Sequence, residues 1–308
     1  MKKIFIDGRA GTTGLRIYER INRDDLEMII LSDEERKNPE RRKWALNNCD
    51  LAFLCLPDDA SREAVSMIEN DNVVVIDTST AHRTNPDWAY GFPELSDEFY
   101  QKIKNSKRIA VPGCHASGFI ALIYPLVKAG LIDKDIALSC FSLTGYSGGG
   151  KKMIAEYEAE GRDKLLDAPR VYGINQQHKH LKEMVAITGL DTAPIFCPIV
   201  APFYSGMEVT VPLFKKDLNG SVEQIKNVYK STYNTVFVSF CDNSDENGFL
   251  SSGALSGLDS MQISVFGNDE RITLVARYDN LGKGASGAAI ECMNIVLGLD
   301  KEKGLILK

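Results

Sequence analysis

Lys3-Ile4-Phe5-Ile6-Asp7-Gly8-Arg9-Ala10-Gly11-Thr12-Thr13-Gly14 is the stretch whose reading decides the fold. A short apolar strand runs straight into a glycine turn, and Leu15-Arg16-Ile17-Tyr18-Glu19-Arg20-Ile21 continues with apolar positions at helical spacing. Strand, glycine turn and helix together make a phosphate cradle. The glycines permit a tight turn and close backbone approach, and the helix N-terminus offers N–H donors and the positive end of its dipole to a pyrophosphate. The spacing G-x-x-G-x-x-G has one residue more between the first two glycines than the usual fingerprint. The reading therefore rests on the strand–turn–helix context, against a turn of purely structural use.

Working outward, Met28-Ile29-Ile30-Leu31-Ser32 reads as a second strand, at whose end a dinucleotide fold recognises the adenosine ribose. An acidic residue there binds a 2′-hydroxyl, whereas a hydroxyl with an arginine takes a 2′-phosphate. Ser32, Asp33 and Arg36 offer both, and a solvated charged loop is the third reading. Asp50 to Pro57 and Val73 to Asp77 are continuously apolar strands, as in a sheet covered on both faces, and Ser61 to Ile68 between them reads as a helix. This alternation predicts a parallel, doubly wound sheet. Thr78-Ser79-Thr80-Ala81-His82-Arg83 then forms a polar turn at its ligand-bearing edge. There Arg83 is a candidate for holding a phosphate or carboxylate.

A second polar turn, Val111-Pro112-Gly113-Cys114-His115-Ala116-Ser117-Gly118, lies between a strand end and the buried helical run Phe119 to Val127. Cys114 falls where a helix begins, and N–H groups and the helix dipole favour a thiolate there. A cysteine nucleophile needs this setting. The other six cysteines (Cys49, Cys55, Cys140, Cys197, Cys241, Cys292) lie in or beside apolar runs and read as small hydrophobes. Thr144 to Lys152 is a further glycine-rich loop. His178-Lys179-His180 with Glu183 suggests one histidine as acid/base oriented by a carboxylate. It does not suggest a metal, because i, i+2 positions on a helix do not share a face and no third ligand lies nearby. Downstream, Met207–Val211, Val236–Phe240, Met261–Val265 and Arg271–Ala276 alternate as strands of a predominantly antiparallel sheet. Ser221-Val222-Glu223-Gln224 opens a helix with a capping box, Cys241 to Ser260 is a long polar loop, and Asn280 to Ala289 leads into a terminal helix ending near Leu297.

The 308 residues allow about two domains. A net charge of −6 argues against a nucleic-acid or anionic-membrane surface, so a small molecule is the expected partner. Seven cysteines without a disulfide-like framework fit a reducing compartment. Met1-Lys2-Lys3 precedes an apolar run too short for a signal peptide and no stretch could span a bilayer, so a cytoplasmic protein is expected.

Together, GRAGTTGL, DTSTAHR, YGFPEL, VPGCHASGF, TGYSGGGK, the HKH…E segment and NLGKGASGAA resemble, in order and from end to end, the short (type 2) N-acetyl-γ-glutamyl-phosphate reductases, relatives of the aspartate-semialdehyde dehydrogenases. The resemblance implies an NADP-linked reduction of an acyl phosphate to an aldehyde, in arginine biosynthesis. It implies Cys114 as nucleophile, His178 as base with His180 close by, and Glu183 as their supporting carboxylate. It also matches Gly8, Gly11, Thr12, Thr13 and Gly14 to a pyrophosphate loop. Ser147, Gly148 and Gly149, with Asn280 to Gly284, match stretches lining a cofactor pocket, and Arg83 matches an arginine near the substrate phosphate. NADP rather than NAD rests on the resemblance more than on Ser32 and Arg36.

The expected architecture is α/β, a Rossmann-type parallel sheet (1–114 and 283–308) plus an α+β catalytic and dimerisation domain with a largely antiparallel sheet (115–282). A homo-oligomer, dimer or tetramer, is the expected assembly. Aspartate-semialdehyde dehydrogenases usually carry Asn-Cys-Ser/Thr where this chain has Gly113-Cys114-His115. They, and an aminoadipyl-phosphate reductase of the same mechanism, are therefore the alternatives. A nucleotide-sensing protein without turnover is the reading from another class, and it leaves the placement of Cys114 without a purpose.

Overall fold

A computed structural model describes residues 1–307, which divide into two compact units. The first comprises Met1–Pro93, Asp97–Gly113 and Ala285–Leu305; the second comprises Glu94–Ser96, Cys114–Gly284 and the residues from Ile306.

In the first unit the chain runs through β1 (Lys2–Asp7), α1 (Thr12–Ile21), β2 (Leu26–Ile29), α2 (Pro39–Asn48), β3 (Leu51–Leu54), α3 (Asp58–Ser66), β4 (Val74–Asp77), β5 (Ala89–Tyr90), α4 (Asp97–Asn105) and β6 (Arg108–Ala110). The last helix of the chain, Gly287–Leu297, completes the unit. The six strands are all parallel, in the order β2-β1-β3-β4-β6-β5. Successive side chains leave a strand on opposite faces, and both faces here are apolar and covered. Ile4 and Ile6 join Ile17, Phe53, Ile109 and Ile290 in one cluster, while Phe5 joins Leu46, Ala52, Leu54 and Val75 in the other. This two-sided burial is why β3 reads as an unbroken apolar run. The chain places β2 on one side of β1 and β3 on the other, which opens a ligand crevice at their carboxyl ends. Gly8 sits there with φ +85°, and a Cβ on it would collide with the Cys55 carbonyl.

The second unit contains α5 (Cys114–Lys128), β7 (Ser139–Gly145), α6 (Gly150–Glu158), β8 (Arg170–Val171), α7 (His180–Thr188), β9 (Ile195–Ala201), β10 (Met207–Phe214), α8 (Val222–Thr232), β11 (Val238–Phe240), β12 (Met261–Gly267) and β13 (Arg271–Tyr278). Its seven-stranded sheet has the order β11-β12-β13-β10-β7-β9-β8. The sheet is mixed. Four pairings are antiparallel, but β7–β9 and β11–β12 are parallel, because long crossover connections separate them in the chain, α6 and α7 in the first case and the loop 241–260 in the second.

α5 packs on β10, β13, α7 and α8. Its Pro125 removes the N–H that would bond the Ala121 carbonyl, and the Tyr233 hydroxyl on the α8 side donates to that oxygen instead, at 2.7 Å. Tyr229 does the same for the Leu122 carbonyl at 2.5 Å. α8 itself starts with the expected capping box of Ser221 and Gln224. On the opposite face of the sheet Phe141, Cys197, Leu143, Ile199, Ile195 and Val171 share one side through the register of β7, β8 and β9. Phe141 is 46% exposed and Ile195 62%.

Local chemistry moves some boundaries from their expected places. β2 ends at Ile29 rather than Ser32, since Ser32 and Glu35 exchange side-chain and backbone hydrogen bonds in a turn of their own. β9 has no counterpart in the sequence reading because Pro194 and Pro198 break its pattern.

Candidate active site

In the second unit Cys114 is the first residue of α5 and is partly exposed, whereas residues 115–123 are buried. The Tyr278 hydroxyl fixes that first turn: it donates to the Cys114 carbonyl at 2.5 Å and accepts from the Gly118 N–H at 3.0 Å. Gly284 lies against the same residue, and a Cβ there would come within 3.2 Å of the Cys114 Cβ. Burial pushes the Cys49 thiol up to about 12 and raises that of Cys140 as well, which leaves those sulfurs protonated and inert.

The predicted histidines are gathered in the same unit, and a third joins them. His178 and His180 have ring centroids 4.7 Å apart, and each lies 5.7 Å from the ring of His115. Phe196 closes the cluster at 5.2–5.4 Å from His178 and His115. His180 and Glu183 are buried in the first turn of α7, three residues apart and therefore on one face. Among the described residues no group of three or more His, Cys, Asp or Glu side chains is arranged to hold a metal ion.

His178 Nδ1 accepts the His180 backbone N–H at 3.2 Å. A neutral His178 therefore carries its proton on Nε2 and is a hydrogen-bond donor. Burial brings its imidazole down to about 4, with the Lys179 ammonium adding to the effect. Burial brings His115 further, to about 3, with His178 contributing. His115 lies 2.6 Å from the Ser142 hydroxyl through Nδ1 and 2.6 Å from the Tyr172 hydroxyl through Nε2. Burial raises the Tyr172 phenol, and the charge of a Cys114 thiolate raises it further, so that hydroxyl keeps its proton beside the sulfur. Sequence reading passed over His115, Ser142 and Tyr172.

The glycine-loop residues of this unit meet directly: Asn280 donates to Ser147 Oγ at 3.0 Å and accepts the Gly206 N–H at 3.0 Å. A Cβ on Gly148 would stand 3.4 Å from the Asn280 amide nitrogen, and one on Gly149 would collide with Met153.

In the first unit Gly8, Gly11, Thr12, Thr13 and Gly14 form the turn into α1. The Gly11 N–H bonds the Gly8 carbonyl at 2.9 Å, and a Cβ on Gly14 would lie 2.6 Å from that same oxygen. Gly11 caps α1 with no side-chain bond, the first turn holds no acidic residue, and Thr12 Oγ1 is buried without a hydrogen-bond partner. These features suit a bound pyrophosphate. Beside the turn a cavity of about 320 Å³ is lined by Arg9, Tyr18, Arg36, Lys37, Arg42 and Ile29, among others. Asp33 pairs with Arg36 at 3.3 Å and the buried Asp7 with Arg42 at 2.9 Å. Four cations thus face two anions around the cavity, a surplus that suits a further phosphate. Burial raises the Asp7 carboxyl and Arg42 opposes that rise. Ser32 is turned to Glu35.

Arg83 is also in the first unit and is buried. Its Nε donates to the Val111 carbonyl at 2.8 Å and its Nη2 to the Thr78 carbonyl at 2.9 Å. The preceding His82 is held by Asp77 at 2.6 Å and stacks on Trp88 at 4.0 Å. Arg83 thus braces the strand end that leads to Cys114.

Residues 114–280 match the family profile described as semialdehyde dehydrogenase, dimerisation domain, and residues 12–103 match semialdehyde dehydrogenase, NAD binding domain. A Nostoc protein named N-acetyl-gamma-glutamyl-phosphate reductase 2 is 42% identical over 98% of this chain and 99% of its own length. The N-acetyl-gamma-glutamyl-phosphate reductase of Brucella anthropi is 46% identical over 96% of this chain and 98% of its own. Among solved structures, aspartate semialdehyde dehydrogenase II from Vibrio cholerae superposes with a TM-score of 0.72 at 17% identity, covering 97% of this chain and 99% of that one. Aspartate semialdehyde dehydrogenase with NADP from Candida albicans superposes with 0.67 at 16%, over 96% of this chain and 98% of that one.

The excluded imidazole protons make stability depend on pH. Unfolded histidines titrate near 6.5, whereas folded His115 resists protonation down to about 3. Its contribution is therefore complete above about pH 6.5 and is lost as the pH falls below that, at no more than ~1.4 kcal/mol per pH unit. Urea midpoints measured between pH 7 and 5 are expected to fall less steeply for His115→Gln than for the wild type. Equal slopes would contradict the burial of a neutral ring.

Proposed function

The chain belongs to the semialdehyde dehydrogenase family, in the branch named N-acetyl-γ-glutamyl-phosphate reductase, and from that premise we propose that it reduces N-acetyl-γ-glutamyl phosphate to the semialdehyde and phosphate with NADPH, in arginine biosynthesis. The observation that carries this reading is a partly exposed cysteine at the mouth of a buried helix, in one unit with three clustered histidines, in a chain 42–46% identical to such reductases over nearly its whole length.

The Cys114 thiolate attacks the acyl carbon, the C–O bond to phosphate breaks, and a thioester remains. N–H groups at the start of α5 face the oxygen on which charge develops. NADPH, when bound, would be the source of the hydride that reduces the thioester carbon. His178, with its proton held on Nε2, is positioned as hydrogen-bond donor to the oxygen of the hemithioacetal alkoxide, which collapses to the aldehyde and releases the Cys114 thiolate. His180 and Glu183 support it from α7. Gly8, Gly11, Thr12, Thr13 and Gly14 would hold the pyrophosphate, and Arg36, with Arg9 and Lys37, would take the 2′-phosphate. Ser147, Gly148, Gly149, Asn280 and Gly284 shape the site by contact with one another and with the cysteine turn. Arg83, carried over as an arginine near the substrate phosphate, also braces the Val111 carbonyl. All seven cysteines are thiols, which supports a cytoplasmic location.

The test is the reverse reaction, phosphate-dependent oxidation of N-acetylglutamate semialdehyde with NADP+. Turnover is expected with this aldehyde, and Cys114→Ser is expected to bind NADP+ yet lose turnover by several orders of magnitude. Strong preference for aspartate semialdehyde, or activity surviving in the serine variant, would overturn the assignment.

The open apolar sheet face carrying Phe141, Ile195 and Val171 fits a second copy of this chain, in keeping with the dimerisation domain. Light scattering is expected to show a dimer or tetramer for the wild type and a smaller species for Phe141→Glu/Ile195→Asp with its circular dichroism intact. An unchanged mass would place the interface elsewhere.

A further inference from the structure

His115 follows the nucleophile directly, yet its ring points into the protein and both its nitrogens are taken up by hydroxyls. A neutral imidazole has one N–H and one bare nitrogen, so one hydroxyl must donate to it and the other accept. The burial of Ser142 decides which. Ser142 is fully buried, and His115 is its partner among the described hydrogen bonds. If Ser142 accepted from Nδ1–H, its own proton would be buried with nothing to bond, at the full desolvation cost. Ser142 therefore donates to Nδ1, the ring proton sits on Nε2, and Tyr172 Oη accepts it. The Tyr172 proton is then turned away from His115. Tyr172 lies beside the rings of both His115 and His178, at 6.0 and 5.9 Å, in the group that shares a unit with Cys114.

We propose that Ser142 and His115 are positioning residues that act through Tyr172: by holding one imidazole tautomer they aim the Tyr172 O–H into the site, as a hydrogen-bond donor to the oxygen of the acyl group carried by Cys114. The proposal rests on reading Cys114 as the acyl-bearing nucleophile. It supplies a second aimed donor beside His178 Nε2–H. The two are set in the same way, each by a hydrogen bond to the far nitrogen of an imidazole. No proton leaves Tyr172 in this role; its hydrogen bond strengthens as charge builds on the oxygen, and such a bond counts in the transition state more than in the ground state.

The experiment is a double-mutant cycle in the phosphate-dependent oxidation of N-acetylglutamate semialdehyde, using Tyr172→Phe, Ser142→Ala and the pair. Tyr172→Phe is expected to lower kcat about a hundredfold and Ser142→Ala about tenfold, each with an unchanged KM for NADP+ and a melting temperature above the assay temperature. Ser142 works only through Tyr172, so the double variant is expected to be no slower than Tyr172→Phe alone. A wild-type kcat for Ser142→Ala, or losses that multiply in the double variant, would overturn the proposal. Absence of turnover in the wild-type enzyme would instead overturn the reductase reading on which it stands.

Discussion

One hydroxyl holds the mouth of α5. Tyr278 is fully buried and its phenol is raised well above the ordinary range by that burial, so it stays protonated and can donate to the Cys114 carbonyl while accepting from the Gly118 N–H. The arrangement requires glycine at 118, where a Cβ would come within 2.6 Å of Val209 and 2.7 Å of the Tyr278 oxygen. With no side chain in the way, α5 lies flat on β10 and β13 and residues 115–123 disappear into the core. Cys114 alone at this end keeps some exposure, its carbonyl held by the Tyr278 hydroxyl. A rigid nucleophile on a buried helix does not spend binding energy on ordering itself.

The polar groups around it follow one economy. In a low-dielectric interior a charged imidazole is expensive, and an unpaired hydroxyl costs less but still enough to select its partner. His115 and His178 therefore enter neutral, and their tautomers are set by the nearest backbone amide or hydroxyl. His178 takes its tautomer from the His180 N–H, and His115 takes its own from Ser142. Neutral rings with a fixed tautomer are good donors toward an oxyanion and poor bases toward a thiol. The chemistry proposed for His178 is accordingly hydrogen-bond donation without proton transfer, in place of the base role suggested by resemblance.

How far the sequence revealed this depended on whether the partners were neighbours in the chain. β1, the glycine turn and α1 are contiguous, so both the fold and the strand–turn–helix geometry were legible from residues 3 to 21. Cys114 was legible because a polar, glycine-flanked turn stands out between apolar runs. The His178-to-Glu183 group was legible as a cluster because all its members fall within one helical turn and its approach. Ser142 and Tyr172 were not, since they reach His115 across 27 and 57 residues through the pairing of β7, β9 and β8. Nothing local marks a serine in the middle of a strand as the partner of a distant imidazole. Arg83 shows the same limit: nothing in its polar turn marks the Val111 and Thr78 carbonyls, to which the structure shows two of its donors given.

The central claim is a covalent one, that the acyl group of the substrate spends part of each cycle on the sulfur of Cys114. Mass spectrometry of the enzyme quenched in acid after mixing with N-acetyl-γ-glutamyl phosphate, with no nucleotide present, tests it most directly. The account predicts one hydroxylamine-labile N-acetylglutamyl adduct per chain, on the peptide containing Cys114. An unmodified Cys114 peptide, or an adduct on any other cysteine, would contradict it.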